Sequence, residues 1–298
     1  MVRFKKIFTL LLLISISFLP LNSYIANDGE YEEYSDEERA SIIESYEIEK
    51  NSDGSNTYSL VGYDSNVYTN IIPGEIDGKI ITRIADGAFK DLKQMTGQIT
   101  LPDSIKYVGD EAFSGCTNLI RIRFGEGLEE IGNNCFYNCT SLDYIRYNDN
   151  LKYIGDSAFE NCRRFDGTYM QIPSSVESIG NNAFAGTGID LMIFTSTNAP
   201  KIEENTFYRC RYLKIRTPNI SDGYTQENGW PMDKVIATLL GDANGDGAIN
   251  SIDASFVIDK YKKNEVVDDD LYIIDMNYDK TINSVDASII IDNYKSNI

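Results

Sequence analysis

The sequence predicts a multidomain α+β chain, in which a β-solenoid of short strands is followed by a small all-α module. Three observations predict it. A six-residue block ending in Phe recurs six times through the middle of the chain. Two twelve-residue loops rich in oxygen-bearing side chains lie within the last sixty residues, and each runs straight into a short segment of closely similar helical sequence. At 298 residues the chain can hold one large or two ordinary domains, so core burial is not limiting.

At the start, Arg3, Lys5 and Lys6 precede an apolar run from Ile7 to Leu21, and the small residues Ser23 and Ala26 follow. This is the pattern of a secretory signal peptide, placed at residues 1–26, and its apolar run is too short to span a bilayer comfortably. No Cys lies near its end, so a lipid anchor is not expected. The mature chain should be extracellular, with no membrane insertion after cleavage. Residues 27–46 read as an exposed acidic lead-in with one helical turn at most, since Glu30–Glu49 is rich in Asp, Glu and Tyr. The formal net charge is −19, which opposes binding to nucleic acid or anionic membranes.

Residues 47–237 carry the repeat. Its blocks are Ile84–Phe89, Val108–Phe113, Ile131–Phe136, Ile154–Phe159, Ile179–Phe184 and Ile202–Phe207, and the Phe recurs every 23 to 25 residues. That period suits a solenoid coil with one short strand per turn, each apolar column stacking on the next. The blocks Cys116-Thr-Asn-Leu119, Cys139-Thr-Ser-Leu142, Leu101-Pro-Asp-Ser-Ile105 and Ile172-Pro-Ser-Ser-Val176 recur between them. Together these motifs resemble the BspA-type class of bacterial leucine-rich repeats. The resemblance implies an amino-terminal hairpin cap over Tyr46–Ile76, and Asn228-Gly-Trp230-Pro231 marks the solenoid's end.

The cysteines follow from the repeat. Cys116, Cys139, Cys162 and Cys210 each lie three residues after a repeat Phe and form a column, and Cys135 replaces the small Ala before Phe136. Metal or redox sites would need CxxC pairs or His, and there are neither; buried thiols acting as small apolar groups fit better than disulfides.

The strand after each C-x-x-L block should alternate inward and outward. Leu119, Ile122 and Phe124 read inward, and Arg121 and Arg123 outward. By the same register Tyr144 and Arg146 face out, and further along Gln171, Met192, Phe194, Lys214 and Arg216 do so. An Arg/Tyr stripe suits carboxylates, glycans and protein hot spots. The chain contains no His, which removes Ser-His-Asp and Cys-His catalysis and imidazole acid–base chemistry. A carboxylate pair could still hydrolyse a glycoside, but no insertion in the repeats is long enough to build a cleft.

Residues 240–298 hold the duplicated loops. Asp242, Asn244, Asp246, Ala248, Asn250 and Asp253 return as Asp275, Asn277, Asp279, Thr281, Asn283 and Asp286. Side-chain oxygens at loop positions 1, 3, 5, 9 and 12, with a carbonyl at 7, are the ligand spacing of an EF-hand loop, which points to two Ca2+ ions. Position 6 is Gly247 in one loop and Lys280 in the other, so the second site should be weaker. Position 12 is Asp where EF-hands carry Glu, and the segment before the first loop is too short for an entering helix.

With Ala254–Tyr261 and Ala287–Tyr294, these loops resemble type I dockerin modules, whose F-hands are EF-hand-like. The resemblance implies binding to a cohesin of a scaffoldin through Ser251, Ile252, Ile258 and Asp259, or through the matching Ser284, Val285, Ile291 and Asp292, with either helix able to face the partner. The expectation is a secreted, non-catalytic component of a cellulosome-like complex, at the cell surface through its scaffoldin. Its leucine-rich-repeat β-solenoid would take a protein or polysaccharide ligand. The alternatives are a glycoside hydrolase with an unrecognised carboxylate pair and a free secreted adhesin.

Overall fold

The computed structural model describes residues 36–64, 70–165, 169–217, 223–236, 243, 250–263, 274, 276 and 281–296. The leader and the start of the lead-in lie outside them. No helix among the described residues is long and apolar enough to cross a membrane.

Order begins earlier than the composition of the lead-in suggests. A helix, α1 (Asp36–Glu44), occupies most of its second half, where one turn was expected. Its Ile42 is 4 % exposed and belongs to the solenoid core. Packing of one apolar side chain holds a segment that propensity alone would leave marginal. Tyr46–Lys50 and Tyr58–Tyr63 then pair as an antiparallel hairpin, and the second strand lies parallel to Lys79–Ile84.

From there the block beginning each coil forms one continuous ladder. Tyr107–Val108, Glu130–Ile131, Tyr153–Ile154, Ser178–Ile179 and Lys201–Ile202 pair in parallel and in register. Each residue type in the block has a physical task. Its first residue, Ile or Val, is buried from coil to coil. In the second to fifth blocks the second is Gly because the coils touch there: a Cβ on Gly155 would lie 2.7 Å from the main-chain nitrogen of Asn133 and from the carbonyl carbon of Gly132. In the first five blocks the third is Asp or Asn, whose side chain can accept from the coil that follows. Asp86 Oδ1 accepts the N–H of Asp110 (2.9 Å), Asp110 that of Asn133 (2.7 Å), Asn133 that of Asp156 (2.8 Å) and Asp156 that of Asn181 (2.7 Å).

The fourth residue is left-handed, at φ 55° in Glu111, 51° in Asn134 and 52° in Ser157. That strain is offset because its N–H reaches the third carbonyl of the next coil, as from Ser157 to Asn181 at 2.8 Å. The closing Phe residues stack in a spine. Centroids from Phe89 to Phe113, Phe136, Phe159 and Phe184 are 5.0, 5.2, 5.3 and 5.4 Å apart, with rings within 13° of parallel. Tyr46 and Tyr63 cover one end of the spine and Trp230 the other, 6.2 Å from Phe207. Trp230 is 1 % exposed, wedged between Phe194 (4.9 Å) and Tyr224 (4.7 Å).

On the other side of each coil the strands fall into two parallel groups. Gly97–Thr100, Leu119–Arg123 and Tyr144–Arg146 form the first. Tyr169–Ile172, Leu191–Phe194, Lys214–Arg216 and Val235–Ile236 form the second.

In the carboxy-terminal module, α2 (Ser251–Lys263) and α3 (Ser284–Ser296) each follow one of the repeated loops. Ala254 and Val257 of α2 meet Ala287 and Ile290 of α3 in a core completed by Ile274, Met276 and Ile282. The equivalent positions of the two copies face each other, which is what an internal duplication produces.

Candidate docking and ligand sites

Both loops end in the same hydrogen-bonded device. Asp253 is fully buried; its Oδ1 accepts the main-chain N–H of Ala243 (2.9 Å) and its Oδ2 that of Asn250 (2.8 Å). Asp286 repeats this from Met276 and Asn283, both at 2.8 Å. The Oδ1 of Asn250 accepts from Ile252 N–H (2.8 Å), and that of Asn283 from Val285 N–H (2.7 Å). Each Asn therefore caps its helix while the Asp three residues on reaches back to the cap's own N–H, a capping box. Because the Asp also holds the second residue of the loop, one carboxylate ties the loop's start to the helix.

These groups fit a hard cation. A buried carboxylate needs compensation for its lost hydration, which the two N–H bonds begin and a bound cation would complete. Positions 9 and 12 of both loops, and Thr281 at position 7 of the second, lie among the described residues. Asp242, Asn244, Asp246, Ala248, Asp275, Asn277 and Asp279 lie outside them, as do Gly247 and Lys280. The clamps from Ala243 and Met276 had no side-chain signal in the sequence, because the donors are main-chain N–H groups.

Beside the clamps, the residues carried over for partner contact are largely open. Ile252 is 60 % and Val285 49 % exposed. Ser251, Asp259, Ser284 and Asp292 are exposed, and Ile258 and Ile291 half-buried. Phe256 and Tyr261 are also exposed large side chains of α2, with Lys260 lying over the Phe256 ring.

On the solenoid, the strand face separates into an open and a closed half. In the first group Leu119, Ile122 and Phe124 are buried as expected, while Arg123, Tyr144 and Arg146 are exposed and Arg121 is partly so. Arg121 lies 3.7 Å from Asp143. In the second group the expected alternation fails. Met192 (0 %) and Phe194 (2 %) point into the core, in register with Met170 and Ile172. Arg216, read as outward, is 3 % exposed. Leu191, Met192, Ile193 and Phe194 are buried without a break, the pattern of a strand covered on both faces. Gln171 stays half-buried, and only Lys214 of the later set is exposed.

The cysteines are free and buried. Burial pushes the Cys116 thiol up to about 12 and raises those of Cys135, Cys139, Cys162 and Cys210 as well. Such thiols are poor nucleophiles at neutral pH.

Comparison with known proteins agrees with this division of the chain. Residues 81–219 match, in six copies, the family model described as BspA type Leucine rich repeat region, and residues 240–293 match Dockerin type I domain. Among solved structures, a leucine-rich repeat protein of T. pallidum is 26% identical with a TM-score of 0.52, covering 58% of this chain and 78% of that one. A leucine-rich cell surface protein of Faecalibacterium prausnitzii A2-165 is 22% identical with a TM-score of 0.44, covering 58% and 53%. No curated protein matches the chain significantly. Both modules are non-catalytic types, and type I dockerin domains bind calcium. The chain is thus a BspA-type leucine-rich repeat solenoid joined to a carboxy-terminal type I dockerin domain.

Proposed function

We propose that this protein is a secreted, non-catalytic subunit that is mounted on a scaffoldin by its dockerin and presents its repeat solenoid to a ligand. The observation that carries the reading is the doubled clamp, Asp253 with Ala243 and Asn250, and Asp286 with Met276 and Asn283. Two calcium ions would bind, one per loop, through Asp242, Asn244, Asp246, Ala248, Asn250 and Asp253 and through Asp275, Asn277, Asp279, Thr281, Asn283 and Asp286. Calcium neutralises the gathered carboxylates, and folding and metal binding are then one equilibrium. The clamps pass that order to α2 and α3 by closing their amino-terminal turns.

The cohesin would read Ser251, Ile252, Ile258 and Asp259 on one helix, or Ser284, Val285, Ile291 and Asp292 on the other. The near-identity of the sets supports two docking orientations related by a half-turn. Ile252 and Val285 are the apolar anchors, exposed where an unpartnered helix would carry polar residues. Export by residues 1–26 would place the protein outside the cell, at a surface or in a released complex.

The test is capture of the mature chain by a panel of cohesins in calcium and again in EDTA. Capture that needs calcium, and that fails only when Asp242 and Asp275 are both replaced by Ala, supports the reading. No capture by any cohesin, with calcium-induced folding intact, would reduce the module to a structural calcium domain.

A further inference from the structure

Arg123 and Arg146 are direct partners on neighbouring parallel strands, and with Thr100 they form one column across three coils. Strands lie about 4.8 Å apart in this direction, so two guanidinium-bearing side chains rise side by side from an open face. Like charges directly opposite each other destabilise a sheet. In a chain of net charge −19 a carboxylate neighbour would have been easy to supply. Among the described residues, Asp143 lies beside Arg121 and neither Arg123 nor Arg146 has an ion-pair partner. The next column places Gln98, Arg121 and Tyr144 abreast, and the Tyr144 side chain is 48 % exposed.

A local rule broken on a rigid, exposed surface marks a binding site more often than a packing need. We infer that this face binds a polysaccharide carrying carboxylate groups, a polyuronate, with Arg123 and Arg146 taking the carboxylates and Tyr144 stacking on a sugar ring. Guanidinium is the side chain best matched to planar carboxylate. An acidic peptide fits less well, because a peptide side chain needs an apolar pocket. The column instead lies over the buried Ile99, Ile122 and Ile145, with Arg123 on the central strand of the three and Arg146 on the last. The inference rests on the repeat region being the ligand-binding half of the chain, and it is independent of the cohesin.

The test is titration of the full chain with short oligogalacturonides, beside neutral xylo-oligosaccharides and an oligoglutamate of similar length. The expected result is binding to the oligogalacturonide alone, weakening with salt. Arg123→Gln with Arg146→Gln should lower affinity by about tenfold or more, and Tyr144→Ala should lower it independently. All three residues are exposed, so unchanged Trp230 emission will report an intact solenoid. No binding, binding unchanged in the variants, or equal binding of oligoglutamate would each overturn the inference. Cohesin capture is read on the same preparations. Loss of oligogalacturonide binding with capture intact defeats only this inference, and the reverse defeats only the docking.

Discussion

The thiol of Cys139 donates its hydrogen to the main-chain carbonyl of Phe113, 3.1 Å away and one coil back. Cys116, Cys162 and Cys210 do the same to Phe89, Phe136 and Phe184, each at 3.1 Å. The column of cysteines is therefore a ladder of weak donors, and Cys suits it by being small, apolar and still able to bond. In the fifth coil Thr187 takes the position, and its hydroxyl bonds the same Phe184 carbonyl at 2.8 Å.

Replacing Cys139 with Ala removes that donor and leaves a small void. The expected loss is about 1–2 kcal/mol, measured by denaturant unfolding. In the native protein a thiol reagent should label none of the buried cysteines quickly. After unfolding it should label all five.

Alkaline pH should weaken the solenoid through the same groups. The folded Cys116 thiol holds its proton to about 12, while the unfolded thiol releases it near its ordinary value of 9.0. Its contribution is fully present below pH 9 and is lost as pH rises from there toward 12. The slope is about 1.4 kcal/mol per pH unit per thiol. Unfolding midpoints at pH 8 and pH 10 should differ accordingly, and Cys116→Ala should reduce the difference by one thiol's share.

Gly155→Ala should be among the most damaging small changes, at about 3 kcal/mol, because the added methyl meets the backbone of the preceding coil. Gly54→Ala is the control. Its φ is +83° but nothing lies within 4 Å of the new Cβ, so only the left-handed strain of about 1 kcal/mol applies. Thermal unfolding of the two variants side by side checks the contrast.

Trp230 is the chain's one tryptophan and is buried in the end cap. Its emission should be blue-shifted, weakly quenched by acrylamide, and unmoved by any glycan that binds the strand face. Trp230→Ala should cost about 3–5 kcal/mol. A shift of the emission on glycan binding would mean that the cap takes part.

Asp253→Ala should weaken the calcium-folded module by more than the about 1 kcal/mol of a lost helix cap, because the cap N–H of Asn250 and the N–H of Ala243 lose their acceptor and the same carboxylate is a proposed ligand. Circular dichroism during a calcium titration should show α2 forming at higher calcium in the variant, and an unchanged midpoint would rule the clamp out.

The solenoid, its period, the buried Phe and Cys columns and the duplicated loops are all legible in the order of residues. Those features repeat, and each repeat position accepts only a narrow set of residue types. Asp110, Gly132 and Phe136 are examples: an inter-coil acceptor, a site with no room for a Cβ and a stacking ring. What depends on the surroundings of a single coil emerges only once the chain is folded. Alternation placed Met192, Phe194 and Arg216 outward, yet Leu191–Phe194 is buried along its whole length and Arg216 is 3 % exposed. Likewise Ile42 turns an acidic lead-in into the start of the core, because one buried side chain outweighs a polar composition. The pairing of Arg123 with Arg146 also came from register. Sequence sets which residues repeat, and only the stacking of coils sets which of them stand side by side.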